Sequence, residues 1–357
     1  MASDVYLIKV SSADSDKTVA GKLNALVDAS GVLRFLRKED YTGIKMHFGE
    51  KGNTGHIRPQ WLTGLIERLR PMTKNIFFTD TNVLYKESKR TNAVDHLKLA
   101  HDHGFSLQNT NVPVIIADGL WGRNYVEVQI NKKRFSKVKI ASDIAECDSL
   151  LALTHITGHI MTGFAGAIKN LGMGCASRRG KFEQHSGILP DFNSKWCAGC
   201  GLCAANCPAS AIKIENGKAK IDELKCIGCG ECVVVCKTAA LNAKWSETLA
   251  NLQEKMVEYA CGAVEAVDKR IGYINFLTNI TRNCDCLALD EPRIIKDIGI
   301  LASNDLVSID LASAEILNNS KGLDIFRQEY PEIDWMVQLK YASSMGLGSL
   351  DYKLRTI

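Results

Sequence analysis

The chain predicts an α/β fold: a mostly parallel sheet with flanking helices, interrupted by a small α+β insertion. Three observations predict it. Strand-like apolar runs alternate with amphipathic stretches through the first 150 residues. The same alternation resumes after residue 244. Between them lies a block holding eight cysteines in two equal runs.

The elements read in order. "DVYLIKV" is a strand with Val5, Leu7 and Ile8 apolar. "AGKLNALVDASGVLRFL" is a helix, with Leu23, Leu26, Val27 and Val32 at helical spacing. "YTGIKMHFG" is a strand. "RPQWLTGLIERLR" is a helix with Pro59 in its first turn. "KNIFFTD" is a strand, "RTNAVDHLKLAHDHGF" a helix closed by Gly104, and "VPVIIADG" a further strand. "YVEVQINKKRFSKVKI" alternates as a hairpin or a sheet edge turning at Asn131-Lys132-Lys133. "DSLLALTHI" is a strand, and "GHIMTGFAGAIKNLGMG" passes through small residues into a helix with a Gly-rich exit. Beyond the cysteines, "WSETLANLQEKMVEYACGAVEAVDKR" is the longest helical pattern, with Leu249, Leu252, Met256 and Ala260 on one face and Ser246 as N-cap. "GYINFLTNI" and "DIGILASNDLVSIDLASAEIL" return to strands and a helix. The economical division is an α/β domain over 1–187, an insertion over 188–243 and the rest of the α/β domain over 244–357.

Composition narrows the class. The 357 residues carry 44 basic and 40 acidic side chains, a net charge of +4 that is too balanced to point to nucleic acid. No apolar run reaches the ~18 residues of a spanning helix, and Asp4 interrupts any signal-like start. A cytoplasmic protein is expected. Its 13 cysteines then call for metal rather than a disulfide framework.

The cysteine block supplies that metal chemistry. "CAGCGLCAANCP" places Cys197, Cys200, Cys203 and Cys207; "CIGCGECVVVCK" places Cys226, Cys229, Cys232 and Cys236. Both are C-x2-C-x2-C-x3-C. The second run repeats the first, with Lys237 where Pro208 follows the first. Roughly 190–243 resembles bacterial-type ferredoxins, a small α+β fold with two [4Fe–4S] clusters. Three close cysteines wrap one cube and the fourth reaches the other. Cluster one would take Cys197, Cys200, Cys203 and Cys236. Cluster two would take Cys226, Cys229, Cys232 and Cys207. Gly199, Gly201, Gly228 and Gly230 let backbone N–H groups approach the sulfurs. "AIKIENGKAKID" between the runs reads as a hairpin turning at Asn216-Gly217. Two zinc ribbons are the competing reading, and the eight-cysteine repeat does not fit them.

The flanking chain carries distinctive strings: "IKMHFGEKGNTGHIRPQW", "FFTDTNVLYKESKRTNAVDHLKLAHDHGF", "LTHITGHIMTGFAGAIKNLGMGCASRRGK" and "YINFLTNITRNCDC". With the insertion they resemble the prokaryotic family labelled domain of unknown function 362, over nearly the whole chain. The resemblance implies an α/β iron–sulfur protein and no particular reaction.

Candidate residues outside the block follow from chemistry. Lys45 and His47 lie on one side of a strand end with Glu50 just beyond, and Asp80 ends another strand. Ligands of open α/β sheets bind beyond the carboxyl ends of strands, so these are acid/base or anion-binding candidates, with loop-fixing hydrogen bonds as the alternative. His155 and His159 would share a helical face. Cys284 and Cys286 would point the same way on an extended segment. With Cys175 they are candidates for an additional metal ion, for redox thiols or for plain structural roles. Gly172, Gly174, Arg178, Arg179 and Lys181 offer a Gly-rich, basic anion site, or else a solvated charge run. The missing Rossmann fingerprint argues against nicotinamide and leaves flavin open.

Three functions are consistent with these features. One is an iron–sulfur oxidoreductase relaying electrons to or from a site in the α/β domain, with a redox partner protein and a small-molecule substrate. Another is a non-catalytic electron-transfer module docking on an oxidoreductase. The third is a metal-handling or maturation protein using Cys284 and Cys286.

Overall fold

Seven predicted strands, joined by an eighth near the C-terminus that the sequence did not announce, assemble into one eight-stranded sheet. A computed structural model describes residues 2–84, 88–185, 189–226, 230–242 and 248–357. The strands are β1 (Ser3–Lys9), β2 (Tyr41–Lys45), β3 (Asn75–Asp80), β4 (Val114–Ile116), β5 (Ser149–His155), β6 (Ile271–Leu277), β7 (Gly299–Ser303) and β8 (Tyr352–Thr356). Across the sheet they run β8-β1-β7-β6-β5-β2-β3-β4. Strand β7 is antiparallel to β1 and β6, and the other pairings of this sheet are parallel. The α/β class with a mainly parallel sheet is therefore correct.

Strand β5 shows why both faces must be covered. Leu150 and Ala152 point into one core, Leu151 and Leu153 into another, and all four are fully buried. Helices α1 (Asp16–Ser30) and α2 (Thr63–Met72) pack on the second face, joined by Ala100 of α3 (Ala93–Asp102). Helices α4 (Ala167–Gly172), α6 (Leu249–Ala266) and α7 (Leu306–Lys321) cover the first face.

Several expectations shift. Helix α1 starts at an N-cap, Ser15, whose side chain accepts from Thr18 N–H, and it stops at Gly31 with φ +62°. Val32 therefore lies past its end. The segment over 125–141 pairs Tyr125–Gln129 with Lys137–Ala141 as a separate two-stranded sheet, not an edge of the large one. "GHIMTGFAGA" is not a helix onset. Thr157–His159 and Gly163–Ala165 form a hairpin, and only Ala167–Gly172 is helical. The Gly-rich exit leads into a further helix, α5 (Arg178–His185). Thr248 caps α6, accepting from Asn251 N–H, and the expected cap Ser246 lies outside the described residues.

The cysteine-bearing segment has its own small core. Cys203, Ile212, Cys232, Val233, Val235 and Leu241 pack with Leu84 and Phe182 of the α/β body. Two short helices, Leu202–Ala205 and Glu231–Val235, follow Gly201 (φ +75°) and Gly230 (φ +69°). Ile212–Glu215 pairs with Lys218–Ile221 across Asn216 and Gly217, both at positive φ. The expected boundaries at 187/188 and 243/244, and Gly228 and Cys229, lie outside the described residues. Among the described residues no helix is long and apolar enough to cross a membrane.

Candidate functional site

A cavity of about 340 Å³ opens beyond the carboxyl ends of the parallel strands. Lys45 ends β2, Asp80 ends β3 and His155 ends β5, and all three line it. The hairpin after β5 brings His159, the start of α4 brings Lys169, and the loop after β6 brings Cys284, Asp285 and Cys286.

The strand-end groups are mutually engaged. Lys45 Nζ, almost wholly buried, lies 3.0 Å from Asp80 Oδ1 and donates to Asn170 Oδ1 at 2.8 Å. Burial would raise the Asp80 carboxyl, but Lys45 and His96 outweigh it and hold it below its ordinary value. His47 Nδ1 accepts from Gly49 N–H at 2.8 Å. Its Nε2 therefore carries the ring proton and has no hydrogen-bond partner among the described residues. Burial, then Arg90, keeps this ring well below the usual histidine pKa, so His47 is a neutral donor. Glu50 is not part of the lining. It accepts from Arg90 Nε at 3.1 Å and from the Ser88 hydroxyl, and Arg90 in turn donates to Cys286 O at 3.2 Å.

His155 and His159 sit on strand segments rather than one helical face, and their roles differ. His155 Nδ1 lies 2.6 Å from Asp285 Oδ2, and its Nε2 lies 2.6 Å from Thr278 O. Both nitrogens face oxygen acceptors. Burial would lower this ring, yet Asp285 raises it above its ordinary value, and Asp285 itself is held low. Both ring nitrogens are thus taken up by Asp285 and Thr278, which favours the protonated ring and leaves His155 unsuited to holding a metal. His159 comes together with Cys284 and Cys286: one ligand atom from each lies within 4.8 Å of the others, close enough to hold a metal ion. Cys284 and Cys286 are joined as a disulfide, with Cα atoms 5.3 Å apart. Lys169 Nζ lies 3.6 Å from Cys284 Sγ, and burial pulls this ammonium down to about 8. Cys175 is not in the group. It is fully buried in the apolar core, where burial pushes the thiol up to about 11.

The five residues of the basic Gly-rich loop do not gather at one anion site, and Arg178 and Lys181 are buried rather than solvated. A Cβ at Gly172 would sit 2.2 Å from the Met256 carbonyl, so that glycine serves close packing of α4 on α6. Gly174 lines the cavity and a Cβ there would meet Lys45 Nζ at 2.5 Å. Arg178 is buried, donating to Thr91 O and Trp121 O. Arg179 donates to Tyr125 Oη at 2.9 Å and lies over its ring. Lys181 alone of the three cations lines the cavity, donating to Ala176 O at 2.8 Å and to the Thr81 hydroxyl. Burial lowers it to about 8.

The sequence reading missed Lys169 and Asp285. A lysine within "AIKN" reads as surface, and an acid between two cysteines reads as a linker. Only the closeness of Asp285 to the C-x-C pair was a signal.

The cysteine segment shows donor chemistry suited to iron–sulfur ligation. Cys207, Cys226 and Cys232 line one small cavity of about 20 Å³, so the fourth cysteine of the first run faces the second run. Cys207 Sγ accepts from Ala211 N–H at 3.2 Å, and Cys197 Sγ accepts from Ala219 N–H at 3.4 Å. The segment adjoins the larger cavity. Leu84 both lines that cavity and packs in the cysteine-bearing core, and a Cβ on Gly230 would meet the Phe182 ring at 2.3 Å. Arg123 Nε also reaches Glu231 at 3.1 Å.

The family described as Domain of unknown function (DUF362) matches residues 42–315. Comparison with curated proteins finds no match. Among solved structures, the chain is similar to the lactate racemase apoprotein from Thermoanaerobacterium thermosaccharolyticum. Identity is 15%, over 76% of this chain and 50% of that one, with a TM-score of 0.41. It is also similar to a Thermotoga maritima protein at 9% identity, over 92% of this chain and 59% of that one, with a TM-score of 0.40. The chain thus spans between half and three-fifths of those structures' lengths.

Proposed function

The chain belongs to the DUF362 family, whose match takes in both the cavity and the cysteine block, and from that premise we propose an iron–sulfur redox protein. Cys197, Cys200, Cys203 and Cys236 hold one [4Fe–4S] cluster; Cys226, Cys229, Cys232 and Cys207 hold the other. Such clusters supply one-electron storage and transfer when bound. The single observation that carries the reading is the shared wall: Leu84 belongs both to the cysteine-bearing core and to the cavity lining. A plain carrier would need no such adjoining cavity.

The cavity residues suit a small ligand rich in oxygen acceptors. The His47 Nε2–H and the Lys169 and Lys181 ammoniums are its donors. Its apolar walls, including Leu153, Met161 and Met256, would exclude water around that ligand. Cys200 and Trp196 are exposed, which gives a redox partner protein access to the cysteine segment. The balanced charge supports no nucleic-acid role.

Anaerobic purification with iron and sulfide counting tests the reading. About eight irons and eight sulfides per chain are expected, with a broad visible absorption that bleaches on reduction. Protein that takes up no iron during anaerobic reconstitution overturns it. The same spectra report any flavin. A second reading, metal handling, rests on the closeness of His159, Cys284 and Cys286, and needs the Cys284–Cys286 bridge opened and His159 turned from its present hydrogen bonds. It requires one further metal ion per chain, lost in the Cys284→Ser variant.

A further inference from the structure

The Cys284–Cys286 bridge does little for folding. It joins residues two apart, and a loop that short restrains almost nothing of the unfolded chain. Both cysteines instead form cavity wall. The intervening Asp285 is committed to His155. Lys169 brings a cation to 3.6 Å from Cys284 Sγ.

The neighbouring His159 resembles a metal ligand by distance alone. Its Nδ1 accepts backbone N–H groups from Met161 and Thr162, each at 3.2 Å. Backbone donors cannot reverse direction, so Nδ1 keeps its lone pair facing them and Nε2 carries the proton of the neutral ring. Neither nitrogen is left with a free lone pair. What His159 offers the sulfurs is a proton donor.

We propose that Cys284 and Cys286 are a redox-active disulfide in the cavity wall, a two-electron site whose Cys284 thiolate is stabilised by Lys169. Reduction breaks the S–S bond, consuming two electrons and one proton. It leaves a Cys284 thiolate beside Lys169 and a Cys286 thiol. The reductant is a one-electron iron–sulfur donor acting twice, and this source of electrons rests on the function proposed above. Lys169 acts through the sulfur as a positioning residue.

The test uses thiol trapping on the full-length protein. Air-exposed protein, denatured with N-ethylmaleimide, should yield the Cys284–Cys286 peptide unlabelled and two hydrogens lighter than the dithiol. Prior reduction with a dithiol should give double labelling. Equilibration in dithiothreitol buffers gives a midpoint without any iron, so the pair is scored separately from the clusters, which are counted by iron and sulfide in the same sample. In iron-loaded protein, anaerobic photoreduction should open the bridge. An intact bridge in fully reduced, iron-loaded protein overturns the electron source. Lys169→Met should slow alkylation of the native reduced pair about tenfold at neutral pH, with Lys169→Arg restoring most of the rate. An unchanged rate overturns the role of Lys169. Two thiols that stay free in air overturn the disulfide. So does a stoichiometric metal ion released by thiol alkylation of the wild-type chain, a readout that needs no variant to fold.

Discussion

The pair formed by His155 and Asp285 shows how one residue contact sets a pH response. Asp285 raises His155 above its ordinary 6.5, so that stabilisation is complete below 6.5 and is lost as pH rises through the higher folded value. Asp285 is held below its ordinary 3.8, so its stabilisation is present above 3.8 and is lost as pH falls through the lower folded value. The ion pair is strongest in the window between. Asp285→Asn should destabilise the protein by about 3–5 kcal/mol there, because it leaves a buried imidazolium uncompensated. The loss of Tm relative to wild type should shrink as the pH rises past the folded His155 pKa. Thermal melts from pH 5 to 9 check this, and a loss independent of pH would mean that the contact is a neutral hydrogen bond. Asp310 is the other demanding residue. It accepts from Ala167 and Ile168 N–H at 2.7 and 2.9 Å and from Asn275, holding the start of α4 and hence Lys169. Asp310→Ala leaves those buried donors unpaired. Denaturant unfolding should register about 2–3 kcal/mol of lost stability.

Elements explain why the two cysteines and His159 meet. Gly158 N–H donates to Thr281 O at 3.0 Å, and a Cβ on Gly158 would sit 2.1 Å from the Arg282 carbonyl. The hairpin after β5 therefore grips the C-x-C loop only while residue 158 is glycine. Gly158→Ala should cost about 1–3 kcal/mol by overpacking and push the loop off His159. Faster N-ethylmaleimide labelling of the reduced pair would report the displacement, and an unchanged stability and rate would count against it. The sheet strands were legible because buried parallel strands are continuous apolar runs, as in "SLLALTH". The hairpin over 157–165 was not, since two three-residue strands rich in glycine carry no period. Helix α5 was hidden for a different reason. Its buried positions include Arg178, Lys181 and Gln184, which inverts the polar-outside pattern that sequence reading relies on. The edge strand β8 is mostly exposed and gave no apolar face to read.

On the scale of the whole molecule, the strand ends and the cysteine spacing were legible as local patterns. Their meeting at one wall was not, because Leu84, which joins the cysteine-bearing core, lies far from that segment in sequence. That wall also governs stability. The two large cores cover opposite sheet faces and depend on no cysteine ligand. The third core is small, and Cys203 and Cys232 are among its buried residues. A segment of that size buries too little apolar surface to be secure without metal. On the proposed iron–sulfur reading, removing iron with a chelator should therefore open the segment over 191–242 to protease, while the sheet keeps a cooperative thermal transition. Mass mapping of the cleavage sites, beside circular dichroism melts, checks both halves. If iron removal instead abolishes the main transition, the segment is integral to the sheet domain. Phe182→Ala separates the contributions further. It leaves the cysteines untouched but removes the ring that packs against Gly230. With Phe182 gone, the iron-loaded protein should become protease-sensitive within 191–242 at unchanged iron content, because the ligands persist while the wall that anchors them to the cavity is lost.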